Sequence, residues 1–160
     1  MGLKKNTALY VGSFDPVTLG HLDVLRSASE VFENVIIAIA DNPDKRSLFS
    51  IEDRKHMIEL SIEDLSKVEV DSFSGLTVEY AKSKGVNVLI RGLRSVTDFE
   101  FEKELAQNNG VLAPEIKTVF FMTNPEHSYI SSSAVREILN NKGDVSKFVS
   151  DAVLSYLLSI

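Results

Sequence analysis

Short apolar, β-branched runs recur along the chain at Thr7–Val11, Val35–Ala40, Val68–Val70, Val86–Ile90 and Thr118–Met122, each separated from the next by a stretch long enough for a helix. This rhythm is the strongest constraint on the fold, because it is the repeat of a βαβ chain. Parallel strands joined this way need right-handed crossovers, so the expected architecture is α/β: a doubly wound, Rossmann-like, five-stranded parallel sheet with helices on both faces. The intervening segments agree. Leu22, Leu25, Ala28 and Phe32 recur at helical spacing, and Ser50 before Ile51, Glu52 and Asp53 reads as an N-cap with an acidic first turn. Thr77–Lys84 stops at Gly85, a fitting residue just past a helix end. Asp98 is expected to cap a helix through about Leu112, and Ser131–Ser133 to cap another that ends at Gly143. The apolar tail from Val145 to Ile160 is expected to pack as a short terminal helix.

A length of 160 residues, 44% of them apolar, suits one domain over residues 1–160 with a real core. The absence of Cys excludes disulfides, thiolate metal sites and a Cys nucleophile. A formal charge of −6 argues against a nucleic-acid or anionic-membrane binder, so an anionic ligand needs a locally basic cleft. The longest uninterrupted apolar run, Val35–Ala40, is far short of the ~20 residues of a membrane span. The N-terminus does not read as a cleavable signal, and Asn6 stands where a myristoylation motif at Gly2 would want Ser or Thr. The cytoplasm is the expected compartment.

In doubly wound sheets ligands bind beyond the C-terminal strand ends, at the switch in strand order. The first run leads into GSFDPVTLGH, Gly12 to His21, directly before the first amphipathic helix. It lacks the glycines of a dinucleotide fingerprint and the Lys of a Walker A loop. It offers instead the Ser13 hydroxyl, Pro16 to stiffen the turn, and His21 at a helix N-terminus, where backbone amides attract anions. Alone, Ser13 and Thr18 read as turn or capping residues and His21 as a partly buried histidine. The second run ends in Asp41 to Arg46, a polar loop carrying Lys45. The fourth leads into IRGLRS, expected as a loop on which Arg91 and Arg94 bracket Gly92 and can grip phosphate oxygens bidentately. The fifth is followed by SYISSS, Ser128 to Ser133, hydroxyls and free amides at another helix start. Four strand ends on one sheet edge thus carry phosphate-binding chemistry. No rival metalloprotease or nucleophile-elbow motif is present, which favours phosphoryl or nucleotidyl transfer.

GSFDPVTLGH resembles the [ST]-x-G-H signature region of the nucleotidyltransferase superfamily. LIRGLRSVTDFEFE, YISSSAVRE and NPDKRSLF resemble its phosphopantetheine adenylyltransferase branch, and the likeness covers essentially the whole chain. The resemblance implies in-line transfer of an adenylyl group from ATP, with Mg²⁺, to 4′-phosphopantetheine. The products are dephospho-coenzyme A and pyrophosphate, the penultimate step of coenzyme A synthesis. It implies that Ser13, His21, Lys45 and Arg94 serve the reaction, His21 stabilising the pentacoordinate α-phosphorus rather than acting as a nucleophile. By motif, Ser13, Phe14, His21, Gly92, Leu93, Arg94, Glu102 and the stretch His127, Ser128, Tyr129, Ile130, Ser131, Ser132, Ser133 match the ATP positions. Ser13, Lys45, Thr77 and Arg91 match those of the acceptor. No residue is assigned to hold a metal directly. Coenzyme A as a product-like ligand and a homohexameric state are further implications. Ser13 stands where many members have Thr, and His127 where Trp is frequent. Transfer of another nucleotidyl group and a non-catalytic nucleotide sensor are the competing readings; the HSYISSS segment lowers the cytidylyl version.

Overall fold

The computed structural model describes residues 6–160, so the Gly2 position lies outside the described residues. Five parallel strands, β1 (Thr7–Gly12), β2 (Asn34–Asp41), β3 (Val68–Ser74), β4 (Val88–Leu93) and β5 (Lys117–Met122), form one sheet in the order β3-β2-β1-β4-β5. Alternation along the strands sorts their side chains between two cores. Ala8, Tyr10, Val35, Ile37, Ile39 and Ile90 face α1 (Leu19–Val31), α2 (Ile51–Ser61), α5 (Ser132–Asn140) and α6 (Asp151–Leu157). Leu9, Val11, Ile36, Ala38 and Leu89 face α3 (Thr77–Lys84) and the C-terminal end of α4 (Val96–Leu112). The sheet is therefore doubly wound, as its strand rhythm dictates, and no helix among the described residues is long and apolar enough to cross a membrane.

Three local expectations are corrected. The helix after β4 is capped by Ser95, whose side chain accepts from the Asp98 amide, so Asp98 sits inside the first turn and Ser95 is the cap. The fourth strand begins at Val88 rather than Val86 and runs on through Leu93, which puts Arg91 and Gly92 in the strand rather than on a loop. Pairing with β5, Arg91 opposite Phe120 and Leu93 opposite Met122, overrides the break that Arg-Gly suggests. The helix opened by Ser131 ends at Asn140; Lys142 takes a left-handed φ of 57° and the Gly143 amide then closes onto the Ile138 carbonyl. Gly85 does cap α3 in the left-handed conformation.

The chain reverses direction across the sheet between β1 and β4. Their pairing runs only from Leu9↔Leu89 to Tyr10↔Ile90, and beyond Tyr10 the two strands part. A crevice opens there, at the strand-order switch.

Candidate active site

The crevice is a cleft of about 410 Å³. Of the residues singled out in the sequence, Ser13, Phe14, His21, Arg91, Gly92, Arg94, Glu102, Ile130, Ser131, Ser132 and Ser133 line it together. The N-terminal turns of α1 and α5 both open onto it, through Gly20 and through Ser132 and Ser133, so two sets of unsatisfied helix amides face the same space.

His21 is the N3 residue of α1, and Thr18 is the N-cap. The Thr18 amide donates to His21 Nδ1 at 3.1 Å, and the His21 amide returns to the Thr18 hydroxyl at 3.4 Å. An amide N–H can only donate, so Nδ1 must accept, and the proton of a neutral ring sits on Nε2. Burial, then the positive charges of Arg94 and Arg91, push the imidazole pKa down to about 4. Phe14, fully buried with a left-handed φ of 45°, sets its ring edge-on to His21 at 5.0 Å and to Tyr10 at 5.2 Å. Near neutral pH His21 is thus an uncharged, orientated Nε2–H donor on the cleft wall.

The two arginines differ from expectation in one respect: each is already gripped by a carboxylate. Arg91 meets Glu102 through both Nε and Nη2, the latter at 2.7 Å, while Nη1 donates to the Val11 carbonyl at 2.8 Å, bridging the gap where β1 and β4 part. Arg94 meets Asp98 at 3.0 Å and donates to the Ile130 carbonyl at 3.0 Å. Their forks are held, with the charge presented sideways rather than as free clamps. The serines are engaged as well: Ser131 caps α5, Ser132 donates to the Pro16 carbonyl at 2.8 Å, and Ser133 accepts from Arg136 at 3.0 Å. These contacts lock the α5 start against the Gly12–His21 turn.

Six singled-out residues do not line this cleft. Lys45 is exposed on the segment after β2. Thr77 lines a second, smaller hollow of about 100 Å³, with Leu105, Ala106 and Asn109; Val11 and Arg91 line both hollows and so form their common wall. Leu93 is buried in the strand. His127, Ser128 and Tyr129 belong to the turn above, where His127 Nδ1 lies 2.8 Å from Asp23 Oδ2. Residues that sequence reasoning did not assign to the site include Tyr10, Phe101, Thr123 and Arg136, with Asp98, which it read only as a helix cap, all on the lining. Asp98 and Phe101 stand within LIRGLRSVTDFEFE and Arg136 within YISSSAVRE, a cation one helical turn beyond the serine cap, whereas Tyr10 and Thr123 carried no signal.

The cleft sets three arginines, Arg91, Arg94 and Arg136, against the carboxylates of Asp98 and Glu102, so it is locally basic in an acidic chain. Both carboxylates are held by guanidiniums, and no group of three or more His, Asp or Glu side chains suited to a metal occurs among the described residues.

Residues 9–138 match the family described as cytidylyltransferase-like. A phosphopantetheine adenylyltransferase of Alkaliphilus metalliredigens is 49% identical over 146 residues, covering 91% of this chain and 93% of that protein. One from Synechococcus sp. (strain JA-2-3B'a(2-13)) is 50% identical over 147 residues, covering 92% of each. One from Clostridium tetani is 45% identical over 149 residues, covering 93% of each. With its crevice at the strand-order switch and this likeness along nearly its whole length, the chain belongs to the cytidylyltransferase-like family and, within it, to the phosphopantetheine adenylyltransferases.

Proposed function

We propose that this protein transfers the adenylyl group of ATP to 4′-phosphopantetheine, releasing pyrophosphate and forming dephospho-coenzyme A. The observation that carries this reading is His21: a neutral donor, fixed by the Thr18 amide, that shares one cleft with Arg91, Arg94 and the N-termini of two helices. The acceptor's phosphate oxygen attacks the α-phosphorus in line, the bond from that phosphorus to the bridging oxygen breaks, and pyrophosphate leaves. Charge grows on the α-phosphoryl oxygens, and a preorganised Nε2–H stabilises it without a proton changing hands. Ser13, Phe14, Gly92, Arg94, Glu102 and the Ile130–Ser133 start of α5 are assigned to the nucleotide, Leu93 and His127–Tyr129 supporting them from the strand and the turn above. Glu102 also holds the guanidinium of Arg91. Arg91, with Ser13, is assigned to the acceptor's phosphate, Thr77 and the smaller hollow to its pantetheine arm, and Lys45 to the migrating charge once its segment closes over the cleft. Mg²⁺ arriving with the nucleotide would neutralise part of the polyphosphate charge.

Dephospho-coenzyme A and coenzyme A are assigned to the same two hollows, and the cytoplasm, which holds MgATP, to the protein. The homohexamer belongs to the same proposal. Its support is an apolar face on α4 and β5, where Val96, Phe101, Val111, Leu112 and Met122 are exposed and α4 has no fully buried residue.

The test is pyrophosphate release from MgATP with 4′-phosphopantetheine, pantetheine and nicotinate mononucleotide, and from CTP with glycerol 3-phosphate. Release with 4′-phosphopantetheine alone is expected. Release with another acceptor would leave the His21 chemistry and overturn the acceptor assignment; ATP binding with no release would favour a sensor.

A further inference from the structure

Asp15 lies two residues beyond Ser13 and is almost fully buried, yet it is not among the residues that line the cleft. Its carboxylate accepts two backbone amides from a distant part of the chain, Leu48 to Oδ2 at 2.8 Å and Phe49 to Oδ1 at 3.0 Å. A buried carboxylate needs such partners, and Arg136 adds a positive charge 3.9 Å from Oδ2. The turn that carries Asp15 is itself immobilised. Buried Arg54 donates to the Ser13 carbonyl at 3.0 Å, and Arg136 donates to the Asp15 carbonyl at 2.7 Å. Leu48 and Phe49 close the exposed segment after β2, on which Lys45 stands.

We infer that Asp15 is a positioning residue for Lys45: it clamps the end of the Lys45 segment to the turn bearing Ser13 and His21, and so limits how far the ammonium can stray from the cleft. This rests on the proposed reaction and its assignment of Lys45. The limit is geometric. Lys45 is three residues from Leu48, so its Cα stays within about 11 Å of that anchor however the segment moves. Before the segment, β2 provides the other fixed end at Asp41. A clamp beside the cleft therefore converts a free lysine on a long excursion into one at high local concentration, which is the gain orientation gives.

Asp15→Asn tests the clamp, because an amide offers one acceptor oxygen and turns an NH₂ toward the second backbone N–H. Three results are expected. Hydrogen exchange at Leu48 and Phe49, slow in the native protein relative to residues 42–46, becomes fast in the variant. Turnover falls about ten- to a hundredfold, with ATP affinity measured by direct binding unchanged. In a Lys45→Ala background the same substitution costs less than about twofold more, because both changes remove one function.

A second variant guards against misfolding of the first: two glycines inserted between Arg46 and Ser47 keep Asp15 and both its hydrogen bonds but lengthen the tether, and should cost turnover to a similar degree. Native exchange at Leu48 and Phe49 as fast as at residues 42–46 would overturn the inference, as would losses from Asp15→Asn and Lys45→Ala that simply add. Wild-type turnover in the lengthened protein would overturn it too. Should Lys45→Ala alone leave turnover unchanged, the assignment of Lys45 fails and the positioning role fails with it; slow exchange at Leu48 and Phe49 would then mark a structural tie only.

Discussion

The imidazole of His21 is buried and lies in the field of the Arg94 and Arg91 guanidiniums, and both burial and their positive charge disfavour its protonated form. Its pKa is lowered to about 4 in the folded protein from an ordinary 6.5, so between those values the unfolded chain binds the proton and the native one does not. The sign follows: His21 makes stability fall as pH drops from about 6.5 toward about 4, and it contributes no pH dependence above 6.5. Urea midpoints at pH 7 and pH 5 should therefore lie closer together in His21→Gln than in the native protein. His21→Ala should lower turnover by about 10²–10³-fold while ATP still binds, the size associated with one preorganised transition-state donor. Undiminished turnover in that variant would remove His21 from the reaction. At this scale the sequence was informative about which residues, and silent about how they are held. That His21 stands at a helix start is readable from T-L-G-H; that its Nδ1 is occupied by the Thr18 amide, and that Arg91 and Arg94 are already paired with Glu102 and Asp98, depends on distances no spacing encodes.

Strand β4 carries Arg91, Gly92 and Leu93 into one element, and it does so by continuing three residues past Ile90, where the Arg-Gly pair suggests a break. The continuation is tolerated at Gly92 because a Cβ there would come within 2.9 Å of Val24 Cγ2, and within 3.6 Å of the Tyr10 hydroxyl. Gly92→Ala should thus force α1 away from the sheet and cost about 1–3 kcal/mol in chemical denaturation. An unchanged denaturation midpoint would mean that Val24 yields freely. Elements buried on both sides, such as β2 with its run from Val35 to Ile39, were legible from composition alone, since continuous apolar runs of that length have few other uses. The start of α4 was not, because Ser95 and Asp98 are both good caps and only the hydrogen bond from the Asp98 amide to the Ser95 hydroxyl decides between them.

Over the whole molecule the two faces of the sheet are unequally covered. Four helices seal one side, whereas on the other α4 leaves Phe101 61% exposed and β5 leaves Met122 66% exposed. Periodicity could not tell this stripe from a core-facing one, since a helix that packs on a neighbouring chain shows the same spacing. Phe101→Glu with Met122→Glu should reduce the mass measured by light scattering toward that of a single chain, with helical content retained; an unchanged mass would exclude this face from the assembly. The larger cleft draws its walls from residues 10–24, 91–102 and 123–136, while the intervening chain, which carries Lys45 and Thr77, is tied to it through Leu48, Phe49 and Arg54. On the assignment made above, Ser13 and Arg91 serve the acceptor from within the cleft's own stretches, and only Lys45 and Thr77 do so from the stretch between them. Descent with modification in the middle stretch can retune which phosphate ester is accepted, while the machinery for activating ATP passes to the next lineage unaltered.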